Sequence, residues 1–165
     1  MSTSHGSVWP NASHKKQTVG DAGEHYVLAM LLREGFIAAQ APRGLKDIDV
    51  LAHHPVTGNN CALQVKTKSS GKKWVLGRKH ERIDHQLVFA LVDFVASPPA
   101  IYVLPSFHVA RAIRLDHWCW KYHGGNDGSM RFISDPMTYQ CGGTQPGWLE
   151  PYCNNWDPVN VVTVH

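Results

Sequence analysis

The chain of 165 residues lacks the features that mark membrane-spanning, secreted and zinc-binding proteins. No run of apolar residues approaches the ~20 that a membrane-spanning helix needs, and the N-terminal segment has no apolar core like that of a secretion signal. The four cysteines include no CxxC pair, which argues against a zinc knuckle or a thioredoxin-like redox site. We therefore expect reduced thiols in a cytoplasmic protein that has no membrane partner.

Length and composition predict one globular domain. Hydrophobic residues make up 43% of the chain and charged residues 18%, which are ordinary values for a globular protein. Residues 1–17 lack an apolar pattern, so we expect a disordered tail followed by a single domain over residues 18–165. The remaining pattern reads as a helix, three strands, a linker, further strands and a helix. This order predicts an α/β sandwich in which helices flank a mixed central β-sheet.

Acidic residues are scarce in one part of the chain. The formal net charge is only +3, but seven of the sixteen lysines and arginines lie between residues 64 and 82, where Glu81 is the only acid. Such a cluster is either a solvated surface or a binding site for a polyanion such as nucleic acid, because clustered cations release counterions from a phosphate backbone. The residues we expect to contact nucleic acid are Lys68, Lys72, Lys73, Arg78 and Lys79.

Two strand-like segments, DIDVLA and CALQVKTK, flank the turn sequence HHPVTGNN. An antiparallel hairpin centred between residues 56 and 57 pairs Asp49 with Gln64 and Asp47 with Lys66. Because side chains alternate along a strand, Asp49, Gln64 and Lys66 then share one face of the sheet. The pattern predicts a carboxylate, an amide and an ammonium group at one point.

Glu24 is a carboxylate within the apolar stripe of the predicted helix TVGDAGEHYVLAMLLREGF. It lies at helical spacing from Val27, Leu28 and Leu31, where a buried carboxylate costs free energy unless another group compensates it. One interpretation places Glu24 at the edge of the stripe, where the helix dipole favours a negative charge. The other is that the helix presents Glu24 to the same centre as Asp49.

Together these residues form a set of hard oxygen ligands. The oxygens that suit Mg²⁺ or Mn²⁺ belong to Glu24, Asp49, the amide of Gln64 and the carbonyl of Val65. Such an ion stabilises charge on a phosphorus centre and lowers the pKa of a bound water. Lys66 is placed to orient that water and to offset charge on the phosphate. The predicted chemistry is phosphodiester hydrolysis, carried by Glu24, Asp49, Gln64 and Lys66.

The segments GDAGE, DIDVLA and QVK, in this order, resemble the PD-(D/E)XK nuclease superfamily. The resemblance is to branches with glutamine in place of the second strand carboxylate, as in Mrr-like restriction endonucleases and some homing endonucleases. It implies a restriction-endonuclease-like fold and a magnesium-dependent endonuclease acting on DNA. A homodimer, which would place two sites on opposite strands, fits this class.

The chain departs from the superfamily pattern at two positions. The sequence KDID lacks the proline that usually precedes the aspartate, which leaves Asp47 as a rival to Asp49. Gln64 removes a negative charge from the metal site, which predicts weaker metal binding. The alternative function is therefore a catalytically inactive module of the same fold that binds nucleic acid or a protein partner.

A second cluster, DHWCWKYH at residues 116–123, gathers two histidines, a cysteine and two tryptophans. These residue types can bind a transition metal or stack on nucleobases. An aromatic-rich loop that packs over the sheet is the more frequent outcome for such a segment.

Overall fold

The computed structural model describes the backbone of residues 12–161 and the side chains of residues 15–160. Within these bounds the α-helices are α1 (Ala12–Arg33), α2 (Ser106–Tyr122) and α3 (Asp157–Val161). The strands are β1 (Ile37–Gln40), β2 (Val50–His53), β3 (Asn60–Lys68), β4 (Lys73–Gly77), β5 (Leu87–Asp93), β6 (Ala100–Pro105) and β7 (Met130–Ser134).

A five-stranded mixed sheet in the order β1-β2-β3-β5-β6 forms the centre of the fold. Strand β3 runs parallel to β5, whereas the other neighbouring strands of this sheet are antiparallel. Strands β4 and β7 form a separate antiparallel ribbon. The predicted α/β class, with helices flanking a mixed central sheet, is confirmed.

The register of the β2–β3 hairpin is the predicted one, since Val50 pairs with Leu63 and His53 with Asn60. The ladder begins at Val50, so the predicted pairs of Asp49 with Gln64 and of Asp47 with Lys66 are not formed. The main-chain N–H of Asp49 instead donates to the carbonyl of Leu63 at 2.8 Å. The alternation of apolar residues therefore located the hairpin correctly, because a shift of one residue would have exposed the apolar face.

Two apolar clusters cover the two faces of the central sheet. On one face, Val27 and Leu31 of α1 pack with Leu63 and Val65 of β3. On the other face, side chains of α2 and of the β4–β7 ribbon pack against β5. Because β3 residues alternate between these faces, the side chain of Gln64 lies on the α2 side.

Helix α1 already includes residues 12–17, which the sequence analysis assigned to a disordered tail. That boundary is wrong for these residues because alanine, lysine and glutamine favour a helix even without an apolar stripe. Residues 1–11 of the expected tail lie outside the described residues. In the described part of the chain, no helix is both long enough and apolar enough to cross a membrane.

Two expectations for the C-terminal part also need correction. The cluster at residues 116–123 is not a loop, since its residues up to Tyr122 continue helix α2. Cys119 in this helix forms a disulfide bond with Cys141, whereas Cys61 and Cys153 are free thiols. The expectation of four reduced thiols rested on the absent secretion signal, which says nothing about which cysteines the fold places side by side.

Candidate functional site

An open cleft of about 650 Å³ lies between helix α1 and the end of strand β3, and we call it the basic cleft. Five lysines and two carboxylates line it. Such a surplus of positive charge attracts polyanions from solution. The charged residues that line the basic cleft are Lys15, Lys16, Glu24, Asp49, Lys66, Lys68 and Lys73.

Glu24 and Asp49 bring two carboxylates to this cleft from different elements. The pKa of Glu24 is raised, first by burial and then by the negative charge of Asp49. Asp49 directly precedes β2, and its Oδ2 accepts a hydrogen bond from the main-chain N–H of Val65 at 2.7 Å. The carboxylate of Asp49 is thereby fixed against the backbone of β3. Two neighbouring carboxylates in a partly buried site favour a bound proton or cation.

Lys66 lies close to both carboxylates. Burial lowers the pKa of its ammonium group, and the negative charges of Asp49, Asp47 and Glu24 oppose this shift. The structure thus places Glu24, Asp49 and Lys66, three of the four residues predicted to carry catalysis, in the lining of one cleft.

Gln64 occupies a different environment from the one expected. Its side chain is 4% exposed and does not line the basic cleft. The Nε2 group lies 3.5 Å from Oδ1 of Asp47, and not beside the carboxylate of Asp49. The Oε1 atom is buried and has no hydrogen-bond partner within the described residues. An unpartnered buried oxygen is costly, so this atom is available to a further donor or a cation.

Asp47 is held on the α2 side of β3 by a close ion pair with Lys79. The hydrogen bond from Lys79 lowers the pKa of the Asp47 carboxyl. The backbone of Asp47 has a φ of 67°, the left-handed region that non-glycine residues rarely adopt. Asp49, and not Asp47, is therefore the aspartate that lines the basic cleft together with Glu24.

Three of the five cations predicted to contact nucleic acid, Lys68, Lys72 and Lys73, line one open cavity, and Arg78 and Lys79 are not part of its lining. Lys68 and Lys73 line the basic cleft, whereas Lys72 lies outside its lining. Lys68 also pairs with Asp93 at 2.9 Å, and Arg78 with Asp127 at 3.7 Å. Lys79 is engaged by Asp47.

Two cleft cations, Lys15 and Lys16, were not predicted from the sequence. They fell in the segment expected to be disordered, so no position was assigned to them. Two adjacent lysines shortly before the predicted helix are the signal that could have found them. If the helix is continued by two turns toward the N-terminus, both lysines become part of it.

Close packing between α1 and β3 positions Glu24. A Cβ atom at Gly23 would lie 1.9 Å from Oγ1 of Thr67, so only glycine permits this approach. The Thr67 hydroxyl is buried and makes no hydrogen bond within the described part of the chain. Gly23 therefore sets the distance between the helix that carries Glu24 and the strand that carries Lys66.

The donor atoms fit a hard cation in kind, since Glu24, Asp49 and Gln64 all offer oxygen. Residues 15–160 contain no cluster of three or more histidine, cysteine, aspartate or glutamate side chains arranged to hold a metal ion. A divalent ion would therefore need an amide or main-chain oxygen, water or phosphate in addition to the two carboxylates.

Comparisons with known proteins were made for the sequence and for the fold. No family model matches the chain, and no curated protein matches it. Among solved structures, the fold is similar to that of a bacterial homing endonuclease, I-Ssp6803I, with 19% sequence identity and a TM-score of 0.49. The likeness covers 86% of this chain and 88% of that one.

Proposed function

We propose that this protein is a metal-dependent endonuclease that hydrolyses phosphodiester bonds in DNA. The observation that carries the proposal is the meeting of Glu24, Asp49 and Lys66 in one basic cleft. Two carboxylates beside a lysine, on a surface with excess positive charge, suit a phosphodiester substrate.

The proposed cofactor is Mg²⁺ or Mn²⁺. Glu24 and Asp49 would hold it, with the carbonyl of Val65, water and phosphate as further donors, whereas the amide of Gln64 lies outside the cleft lining. When bound, such an ion neutralises charge on the phosphate and lowers the pKa of a bound water. The cation would also relieve the repulsion between the two carboxylates.

The chain's own cations have separate roles in this proposal. Lys66, close to both carboxylates, donates a hydrogen bond to the reacting phosphate and offsets its charge. Lys15, Lys16 and Lys73 bind flanking phosphates along the cleft and hold the strand in position. A homodimer would offer one such cleft to each strand of a duplex.

Cleavage of supercoiled, linear and branched DNA in Mg²⁺ or Mn²⁺ tests the enzymatic claim. We expect Lys66→Ala to lower the rate by about 100-fold or more, the usual scale for loss of a group that assists proton transfer or charge stabilisation. Lys121→Ala removes the same charge from helix α2, outside the cleft, and should retain most of the activity. If wild type cleaves no substrate faster than Lys66→Ala, the proposed activity is wrong.

Binding of Mn²⁺, measured by calorimetry, tests which aspartate holds the metal. We expect Asp49→Asn to weaken binding by about tenfold or more, because a carboxylate in the cleft is lost. Asp47→Asn should change binding little, because that carboxylate is engaged by Lys79 on the other side of β3. The reverse result would assign the metal to Asp47.

A second candidate function is a module that binds nucleic acid without cleaving it. It is favoured by the absence, among residues 15–160, of a cluster of three or more metal-binding side chains, and by the uncharged Gln64. Such a module would bind DNA with a steep dependence on salt. Added Mg²⁺ at constant ionic strength would then leave both the affinity and the integrity of the DNA unchanged.

A further inference from the structure

A second cavity, of about 270 Å³, lies between helix α2 and the β4–β7 ribbon. We call it the aromatic pocket, because rings from three segments line it. Its volume is slightly below the ~300 to 1,000 Å³ of pockets for drug-sized ligands, so it suits one planar ring system. Its lining includes Lys73, Trp120, Met130, Arg131, Phe132 and Thr138.

Trp120 is fixed in the wall of this pocket. Its indole N–H donates to the carbonyl of Asn126 at 3.0 Å. The ring packs against Gly125, where a Cβ atom would lie 2.1 Å from the indole. The side chain is nevertheless 44% exposed, and Met130 beside it is 53% exposed. Large apolar side chains that gather exposed around one cavity indicate a binding surface.

A charged group lies in the same wall. The side chain of Arg131 is buried, its Nε forms a close ion pair with Glu81, and its Nη1 donates to the carbonyls of Gly128 at 2.7 Å and Met130 at 2.9 Å. Its Nη2 makes no hydrogen bond within the described residues, with the carboxylate of Asp127 3.9 Å away. A fixed guanidinium beside aromatic rings favours a planar ligand that is rich in hydrogen-bond acceptors.

Lys73 connects the aromatic pocket to the basic cleft, since it lines both. Its Nζ lies 3.2 Å from the hydroxyl of Thr138 and 5.5 Å from the ring centre of Phe132. A phosphate bound by Lys73 would therefore have its own nucleobase within reach of the rings. Proteins that bind single strands commonly combine a positively charged groove for the phosphates with aromatic side chains on which the bases stack.

We propose that the aromatic pocket binds an unpaired nucleobase of a nucleic-acid strand that lies in the basic cleft. The inference rests on the proposed function and narrows its substrate class to DNA with an unpaired nucleotide. Such DNA is single-stranded, branched, or distorted so that one base leaves the stack.

Fluorescence anisotropy in EDTA tests this inference without cleavage. The probes are a labelled single-stranded DNA and a strand of equal length built from abasic units. We expect wild type to prefer the strand with bases by about tenfold, the scale of one stacked base. Trp120→Ala should lose this preference and Trp120→Phe should keep most of it. Trp118→Ala, in the same helix but outside the pocket, is the matched control.

Phe132→Leu is a second variant, on the exposed face of the ribbon, in case Trp120→Ala does not fold. It should lower the preference several-fold, with thermal unfolding as the check of integrity. Equal binding of both strands by wild type, or equal loss of preference in Trp118→Ala, would refute the inference.

The outcome is separable from that of the proposed function. Salt-dependent DNA binding without a preference for bases would refute the nucleobase pocket and leave the nuclease intact. A preference for the strand with bases in a protein that cleaves no DNA would refute the nuclease and leave the nucleobase pocket intact. If wild type binds no nucleic acid, both proposals are wrong.

Discussion

Two glycines three positions apart in helix α1 should respond oppositely to the same substitution. Among the described residues, no atom outside the local turn of the helix lies within 4 Å of the position that a Cβ would take at Gly20, whereas a Cβ at Gly23 would lie 1.9 Å from Oγ1 of Thr67. Alanine at either position gains helix propensity, but only at Gly23 must the helix move away from β3. The pair therefore isolates the cost of close packing from the gain in propensity.

The magnitudes follow from these two environments. Gly20→Ala should stabilise the protein by about 0.5 to 1 kcal/mol, the ordinary difference within a helix. At Gly23 the same gain is opposed by overpacking, which costs about 1 to 3 kcal/mol. The net loss of about 1 kcal/mol should lower the melting temperature by about 2 to 4 °C. Because Gly23 adjoins Glu24, Gly23→Ala should also weaken Mn²⁺ binding.

Urea unfolding of the single variants and of the double variant with Thr67→Ala measures the contact directly. Thr67→Ala removes Oγ1 and leaves its own Cβ at 3.0 Å, so most of the clash is lost. We expect a coupling energy of about 1 kcal/mol or more between positions 23 and 67. If Gly23→Ala stabilises the protein as much as Gly20→Ala does, the packing of α1 against β3 described above is wrong.

Two further predictions concern titration and thiols. The pKa of the His80 ring is lowered to about 4 by burial, against about 6.5 in an unfolded chain. The folded state therefore loses stability as the pH falls below about 6.5, by about 2 kcal/mol between about pH 7.5 and about pH 5. Urea unfolding of His80→Gln should show no such loss of stability over this pH range. An equal loss in both proteins would contradict this reasoning. Titration of the denatured, unreduced protein should find two thiols, because Cys119 and Cys141 are bonded to each other. Four thiols before reduction would exclude the disulfide.

Local pattern was sufficient for the hairpin and for much of the site. The register of β2 and β3 follows from alternating apolar residues around one turn, and that register brings Asp49 to the backbone of Val65. Glu24 could be placed because a carboxylate in an apolar stripe needs a compensating group. These inferences depend on contacts between neighbouring elements, which periodicity encodes.

The remaining features depend on contacts between distant segments. Strand β4 pairs with β7, more than fifty residues further along, so its short sequence gave no sign of a partner. The basic stretch was expected to contact nucleic acid, but three of its cations, Lys68, Arg78 and Lys79, pair with the distant acids Asp93, Asp127 and Asp47. The side chain of Gln64 reaches Asp47 because the backbone turns at a positive φ just before β2.

Strand β3 supplies alternate residues to both layers of the molecule, and this has a practical consequence for altering the protein. Substitutions at His80 or at the Asp47–Lys79 pair will change the pKa of the Lys66 ammonium group, because that pKa responds to the charges around it. Changes behind β3 will alter both the stability of the fold and the charge environment of Lys66.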